Sequence, residues 1–158
     1  MYLKVAKLRP DAKLPVRANL SDAGIDIFYC GEDIIHLSFG RNYLFPTGLS
    51  IEVPHGFALQ VLNRSSMASK KGVVVGACLV DAGYSGELFI DLHVVGAYKG
   101  ASNIEVEPVK ISPGDKIAQL ICIPVIHWMP IEVSKEELYS EIKVISDRDA
   151  GGFGSTGE

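Results

Sequence analysis

The chain has 158 residues, a net charge of −4 and 47% apolar residues. This length fits one domain with a core of ordinary size, and the composition is typical of globular proteins. The negative charge argues against a protein that coats nucleic acid, because such binding neutralises many phosphates. No apolar run approaches the roughly 18 residues of a membrane span, and the charged first residues do not fit a signal peptide. We therefore expect an intracellular, cytoplasmic protein.

The cysteines indicate the redox setting. Cys30, Cys78 and Cys122 are far apart in the sequence and form no CxxC pair. Zinc sites and disulfide frameworks of small proteins depend on closer or more numerous cysteines. We predict three reduced, buried thiols.

Short apolar segments separated by Pro and Gly predict an all-β sandwich or barrel. Residues 87–95 alternate between apolar and polar, as a half-buried strand does. Residues 116–126 are apolar at both odd-numbered and even-numbered positions. This pattern predicts a strand covered on both sides, inside the domain or at a subunit contact. Short helices are predicted from Ser65 to Lys70 and, after a capping box, from Ser134 to Tyr139. The predicted strands are 24–29, 48–53, 57–62, 72–78, 87–95 and 116–126.

Two early segments could bind an anion or a cation. Asp26 opens an apolar strand, where a carboxylate needs a partner; the structural alternative is a hydrogen bond to a turn. Arg64, Ser65 and Ser66 enter a short helix, and together they could bind an anion. Their structural alternative is a serine cap beside a solvated arginine.

The segment from Ala77 to Glu87 reverses direction between two apolar strands. An ordinary hairpin would explain its Asp-Ala-Gly turn. If the mouth of the hairpin accepts a flat ligand, backbone groups of the hairpin could read the hydrogen-bonding edge. Asp81 could then polarise a water molecule, and Tyr84 could pack against a sugar.

Two later segments could also contact a ligand. Gln119 is a neutral amide within an apolar run, and it should have a hydrogen-bond partner. The C-terminal stretch sets Arg148, Phe153, Ser155 and Thr156 among glycines. Such a tail could close over a polyphosphate and a stacked base, although glycine-rich tails are often only flexible.

The five segments occur in one order between residues 23 and 157: AGIDI, RSSMA, LVDAGYSGE, GDKIAQLI and RDAGGFGSTG. In that order they resemble the motifs of the trimeric dUTPase family. The resemblance implies a jelly-roll-like β-domain (1–147), a mobile C-terminal lid tail (148–158), and a homotrimer with active sites shared between chains. It also implies Mg²⁺-dependent hydrolysis of dUTP to dUMP and pyrophosphate, which keeps dUTP low and supplies dUMP for dTMP synthesis. Neither a membrane nor a nucleic acid is an expected partner.

The same resemblance implies a role for each motif residue. Asp81 would be the general base for water attack at the α-phosphorus, and Asp26 would position Mg²⁺ through its water shell. Tyr84 would pack under the deoxyribose. The remaining substrate contacts are Arg64, Ser65, Ser66 and Gln119 at the phosphates and the water, the backbone of Cys78, Leu79 and Val80 at uracil, and Arg148, Phe153, Gly154, Ser155 and Thr156 in the lid.

Three features depart from the family pattern. Cys78 stands where glycine is common, Val75 stands where many members have asparagine, and the stretch 96–111 is longer than usual. Two other functions also fit part of the sequence. A dCTP deaminase would use Glu87 as its catalytic glutamate, and a nucleotide-binding regulatory or scaffold protein would have lost catalysis.

Overall fold

The computed structural model describes residues 2–96 and 108–138. Over these residues the protein forms antiparallel β-sheets and one short helix, so the prediction of an all-β fold is confirmed. The elements are β1 (Lys4–Lys7), β2 (Ile25–Phe28), β3 (Ile35–Leu37), β4 (Asn42–Pro46), β5 (Leu49–Glu52), β6 (Phe57–Leu62), α1 (Ser65–Lys71), β7 (Val73–Val75), β8 (Leu79–Val80), β9 (Phe89–Val94), β10 (Val109–Ile111) and β11 (Lys116–Pro124).

The strands of residues 2–96 and 108–126 form four sheets, and they belong to one compact unit, Met1–Ile126. The largest sheet has the strand order β2-β11-β6-β8, and a second has the order β4-β9-β7. Two further pairs, β1-β5 and β3-β10, form the remaining sheets among the described strands. Every described pair is antiparallel, and each joins strands that are not consecutive along the chain, so the chain crosses over between paired strands.

The alternation predicted for residues 87–95 is confirmed in β9. The side chains of Leu88, Ile90, Leu92 and Val94 are all buried. They pack in the main hydrophobic core, which draws on both larger sheets. The opposite face of this strand carries the polar side chains, as a period of two requires.

β11 is the longest strand, and it forms the centre of its sheet together with β6. Ile117, Ala118 and Leu120 are buried, so its first half is covered on both faces. Cys122 is exposed, and the second half therefore presents one face outward. The prediction of a strand covered on both sides is correct only for the first half within this chain.

The predicted helix after β6 is present and ends as expected. Gly72 follows α1 with φ of 61°, and its N–H donates to carbonyls of the last turn. A Cβ at this position would lie 1.6 Å from the carbonyl oxygen of Gly96. Glycine is therefore required here both by the left-handed conformation and by the close backbone.

The second unit comprises residues 127–158 and is described over 127–138. Its predicted capping box is formed: Ser134 Oγ accepts the Glu137 N–H at 3.2 Å, and Glu137 Oε2 accepts the Ser134 N–H at 3.1 Å. The residues that follow form a turn and not a regular helix through 138. The predicted domain boundary at 147/148 lies outside the described residues.

The prediction of three buried thiols is correct for Cys30 alone. Burial, followed by a hydrogen bond to Asp11, raises the pKa of the Cys30 thiol, which keeps it protonated. Cys78 and Cys122 are exposed because one precedes an edge strand and the other lies on the open face of β11. All three are free thiols.

The helix described in residues 2–96 and 108–138 is far from the length and apolar character that a bilayer crossing demands.

Leu120 lies at the centre of the largest sheet with 0% of its surface exposed. We expect Leu120→Ala to lower the free energy of unfolding by about 2–5 kcal/mol, because it leaves a cavity between packed strands. Urea denaturation followed by circular dichroism measures this loss. Cys122→Ala on the exposed face of the same strand is the control and should change stability by less than about 0.5 kcal/mol. Equal effects of the two substitutions would contradict the packing of β11.

Candidate active site

A basic cluster forms where β2, β11 and the end of β6 meet. Arg64 Nε lies 2.9 Å from Asp26 Oδ1, and Lys116 Nζ lies 2.7 Å from Asp26 Oδ2. Arg64 also donates from Nη1 to the Lys116 carbonyl at 3.2 Å. The strand-entry carboxylate therefore has two cationic partners, and the cluster of Asp26, Arg64 and Lys116 keeps a net positive charge. Such a cluster is suited to an anion.

A β-bulge brings Lys116 into this cluster. The register of β11 against β2 shifts between Lys116 and Ala118, so that Lys116 pairs with Phe28 and Gln119 pairs with Asp26. Lys116 and Gln119 are an odd number of residues apart and would face opposite sides of a regular strand. The bulge inserts one residue and puts both side chains on the face of Asp26.

Gln119 has the hydrogen-bond partner that its position predicts. Its Nε2 donates to the carbonyl of Asn63, the residue before Arg64, at 2.8 Å. A Cβ on Gly24 would lie 2.3 Å from Gln119 Oε1, so the glycine of the first motif makes room for this amide. Asn63 also fixes β7, because its Oδ1 accepts the Val75 N–H at 2.6 Å.

A cavity of about 370 Å³ opens beside the basic cluster, lined among others by Phe28, Arg64, Ser66 and Lys116. Ser65 and Ser66 are exposed at the start of α1. The N-cap of the helix is Arg64, and it makes no side-chain capping bond. The serine-cap alternative is therefore not what the structure shows, and of the two serines Ser66 lines the cavity.

The predicted hairpin has arms that belong to different sheets. Its first arm, β8, pairs with β6, whereas its second arm, β9, pairs with β4 and β7. The arms thus diverge, and a cavity of about 200 Å³ lies between them, which we call the hairpin slot. Its lining residues are Leu79, Val80, Asp81, Tyr84, Leu88 and Phe89.

The backbone of Leu79 faces the hairpin slot. Val61 N–H donates to the Cys78 carbonyl at 2.8 Å, and β8 pairs Leu79 with Gln60 and Val80 with Leu59. In an antiparallel pair, alternate residues direct their N–H and C=O groups away from the partner strand. The Leu79 groups therefore point away from β6, while those of Cys78 and Val80 are directed to it.

Asp81 and Tyr84 stand at the mouth of the hairpin slot. Asp81 is exposed, and its carbonyl accepts the Tyr84 N–H at 3.2 Å, which closes the turn. The Tyr84 hydroxyl donates to the Glu87 carbonyl at 2.8 Å, and its ring crosses over Gly86, where a Cβ would meet the hydroxyl at 2.5 Å. The ring is thus fixed as a platform at the entrance.

The basic cluster and the hairpin slot are far apart within one chain. Asp26, Gln119 and Leu62 lie in one row of the largest sheet, and continuing the β6–β8 register places Asp81 opposite Ala58. Asp26 and Asp81 are therefore separated by four residues along the strand direction and by three strand spacings across the sheet. At ordinary strand geometry this distance is roughly 20 Å. One copy of the protein does not bring these two groups of residues together.

Glu87 has a structural role. Its Oε1 accepts the Gly48 N–H at 2.8 Å and lies 3.5 Å from Arg9 Nη2. The carboxylate that a deaminase would need is thus directed to the loop before β5.

Lys116 and Asn63 were not among the predicted site residues. The sequence does indicate Lys116 as a possible anion ligand, since it is a cation directly after the Pro-Gly-Asp turn.

The described residues contain no group of three or more His, Cys, Asp or Glu side chains placed to hold a metal ion. The predicted lid residues Arg148, Phe153, Gly154, Ser155 and Thr156 lie outside the described part of the chain.

The sequence and the fold are similar to those of known dUTPases. A Clostridium tetani protein named deoxyuridine 5'-triphosphate nucleotidohydrolase is 39% identical over 99% of this chain and 97% of its own length. The dUTPase of Staphylococcus bacteriophage 80alpha, solved as a mutant with dUpNHpp, has a TM-score of 0.75 and 28% identity, covering 99% of each chain. A mutant dUTPase from phage phi11 of S. aureus, described as coordinating a structural Mg(II) ion, has a TM-score of 0.69 and 28% identity over 87% of this chain and 98% of its own.

These likenesses confirm the predicted jelly-roll-like fold class. The dUTPase family profile matches residues 10–157, which includes all five motifs. The chain therefore belongs to the dUTPase family.

Proposed function

We propose that this protein hydrolyses dUTP to dUMP and pyrophosphate, with uracil read in the hairpin slot and the phosphates held by the basic cluster. The observation that carries the proposal is the slot itself. Its arms diverge into two sheets, and it exposes the Leu79 backbone with Asp81 and Tyr84 at the entrance. The relatives named deoxyuridine 5'-triphosphate nucleotidohydrolase support the choice of substrate.

The Leu79 backbone accounts for base selection. Uracil presents an N3–H donor between two carbonyl acceptors, which complements one backbone C=O and one backbone N–H. Cytosine has an unprotonated N3 and would place an acceptor against the Leu79 carbonyl. A site that reads such an edge can reject the wrong base on the order of 10⁴-fold. Leu88 and Phe89 also line the slot, and we assign the exclusion of a 5-methyl group to them.

Asp81 is the proposed general base. It takes a proton from a water molecule, which attacks the α-phosphorus; the bond from that phosphorus to the bridging oxygen breaks, and pyrophosphate leaves. A base must lie within hydrogen-bond reach of its water, and the exposed carboxylate of Asp81 at the slot entrance is open to water. Tyr84 would pack under the deoxyribose and exclude a 2′-hydroxyl, since its ring is held against the turn.

The phosphates are assigned to Arg64, Ser65, Ser66 and Gln119. Phosphoryl transfer depends mainly on positioning and on neutralising charge, and the basic cluster offers both. Asp26 orients Arg64 through the bond at 2.9 Å. Lys116 adds a second cation to the same face.

Magnesium fits this arrangement as part of the substrate, chelated by the triphosphate. Mg²⁺ typically keeps several waters and binds through substrate phosphates and few carboxylates. Asp26 can serve its water shell, because each carboxylate oxygen has a second lone pair beyond its ion pair with Arg64 or Lys116. The ion would supply neutralisation of charge on the leaving pyrophosphate.

The separation of the two groups of residues supports a homotrimer with active sites shared between chains. Strand geometry places the slot and the basic cluster of one copy roughly 20 Å apart. This distance is too large for both to contact neighbouring phosphates of one nucleotide. In the proposed trimer, a second copy brings its basic cluster to the slot of the first. Exposed apolar side chains of Trp128, Met129 and Ile131 also suit a contact between copies.

The C-terminal tail is the proposed lid. Arg148, Phe153, Gly154, Ser155 and Thr156 would close over the bound nucleotide, with Phe153 stacking on uracil. Glycines allow backbone N–H groups to converge on phosphate oxygens.

The reaction is tested by measuring pyrophosphate release from dUTP, dCTP, dTTP and UTP, with and without Mg²⁺. We expect release from dUTP only. Ammonia formed from dCTP would favour a deaminase, and dUTP binding without turnover would favour a regulatory protein.

Asp81→Asn should lower kcat by roughly 10²–10⁴-fold while dUTP binding, measured by calorimetry, is largely kept. Unchanged turnover would remove Asp81 as the base.

Mixed trimers test the shared site. Asp81→Asn spoils the slot entrance and Arg64→Ala spoils the basic cluster, so each variant alone should be inactive. Trimers refolded at random from an equal mixture of the two variants should recover about a quarter of wild-type activity. At each contact between two subunits, an intact slot from one subunit meets an intact basic cluster from the next in one case of four. A mixture of Asp81→Asn with the double variant is the control and should stay inactive. Failure of the first mixture to exceed this control would contradict a site shared between chains.

Deletion of residues 148–158 tests the lid. We expect activity to be lost while the free energy of unfolding is unchanged, because a lid contributes little to a core. Chemical denaturation and pyrophosphate release measure the two quantities on the same preparation. A shortened protein with full activity would rule out the lid.

A further inference from the structure

The backbone passes from one sheet to the other just before the hairpin slot. β7 (Val73–Val75) belongs to the sheet of β9, whereas β8 (Leu79–Val80) belongs to the sheet of β6. The connecting residues, 76–78, are exposed, and we call them the crossover. Their path determines where the Leu79 backbone lies in the slot.

Asp91 on β9 fixes the crossover twice. Its carbonyl accepts the Gly76 N–H at 2.9 Å, and its side-chain Oδ2 accepts the Ala77 N–H at 3.3 Å. The next residue, Cys78, is already bound to β6 through the Val61 N–H. The Asp91 side chain therefore holds the last amide before the backbone joins the other sheet.

His93 holds the Asp91 carboxylate in place. Its Nε2 lies 2.9 Å from Asp91 Oδ2, and the two residues share one face of β9 because they are two positions apart. The backbone of Gly76 lies directly on this pair. A Cβ there would come within 2.3 Å of His93 Nε2 and 2.4 Å of Asp91 Oδ2.

The burial of the Asp91 carboxylate has an energetic cost, which a side chain with only a structural role in the strand would avoid. The Asp91 side chain is 18% exposed, and its Oδ1 is buried without a hydrogen-bond partner among residues 2–96 and 108–138. A buried carboxylate oxygen without a partner is unfavourable. The strand would be satisfied by an apolar or hydroxyl side chain at this position, so the carboxylate is explained by what it holds.

We propose that Asp91, oriented by His93, is a positioning residue for base selection, which it serves by fixing the crossover and thereby the Leu79 backbone in the hairpin slot. This inference rests on the proposed reading of uracil by that backbone. Asp91 acts through Ala77 and Leu79 and does not touch the substrate.

Steady-state kinetics of Asp91→Ala test the proposal. We expect the KM for dUTP to rise by roughly fivefold to tenfold, the value of one lost hydrogen bond, and the preference for dUTP over dCTP to fall. The kcat should stay within about twofold, because the reacting groups are untouched. Asp91→Asn keeps an acceptor for the Ala77 N–H, and its KM for dUTP should therefore be close to the wild-type value. Amide hydrogen exchange at Ala77 should be faster in Asp91→Ala than in the wild type.

Leu44→Ala is the matched control, since Leu44 is the cross-strand neighbour of Asp91 on β4 and is exposed. If it raises KM as Asp91→Ala does, the effect belongs to the sheet in general and the proposal is overturned. An unchanged KM in Asp91→Ala overturns it as well. Should Asp91→Ala fail to fold, Gly76→Ala, whose Cβ would force the Asp91 and His93 side chains and the crossover apart, should give the same rise in KM; a wild-type KM would refute the proposal.

The readouts also separate this inference from the proposed function. A wild-type protein that releases no pyrophosphate from dUTP contradicts the function, whereas the exchange rate at Ala77 still reports whether Asp91 holds the crossover. An active wild type with an unaltered Ala77 exchange rate in Asp91→Ala contradicts the inference alone.

Discussion

The pairing of β6 with β11 on one side and with β8 on the other is the constraint on which the site depends. Through β11 and β2, β6 fixes the row that holds Asp26 and Gln119. Through β8 it fixes the arm that carries Leu79. Because hydrogen-bonded strands keep nearly constant spacings, the distance between the two groups of residues is set by the sheet and cannot be closed by side-chain motion.

Charge compensation makes the basic cluster stable in the absence of a ligand. Two cations on one carboxylate, Arg64 and Lys116 on Asp26, reduce the mutual repulsion that a purely cationic site would suffer. The arginine is also held in one orientation by the Lys116 carbonyl. A preorganised donor loses less conformational freedom when an anion arrives, so the same carboxylate that lowers the net charge of the cluster also prepares it for the phosphate binding proposed for it.

Much of this architecture could be predicted from the sequence, and the rest depended on tertiary detail. The alternation around Ile90 identified β9 because one face of that strand is buried and the period of two is unbroken. Lys116 was missed because the bulge reverses the parity between it and Gln119, and a periodic pattern contains no sign of a bulge. The Asp-Ala-Gly turn that begins at Asp81 indicated a hairpin, but the divergence of its arms depends on which strands they pair with.

The proposed site shared between copies would link catalysis to assembly. A nucleotide bound in such a site binds the assembled form and not the isolated subunit, so it strengthens the contact between the copies by mass action. The relation is reciprocal: whatever loosens the contact weakens nucleotide binding by the same factor. Activity per subunit should then fall on dilution and be preserved by substrate, so that the nucleotide is at once the reactant and a stabiliser of the enzyme that destroys it.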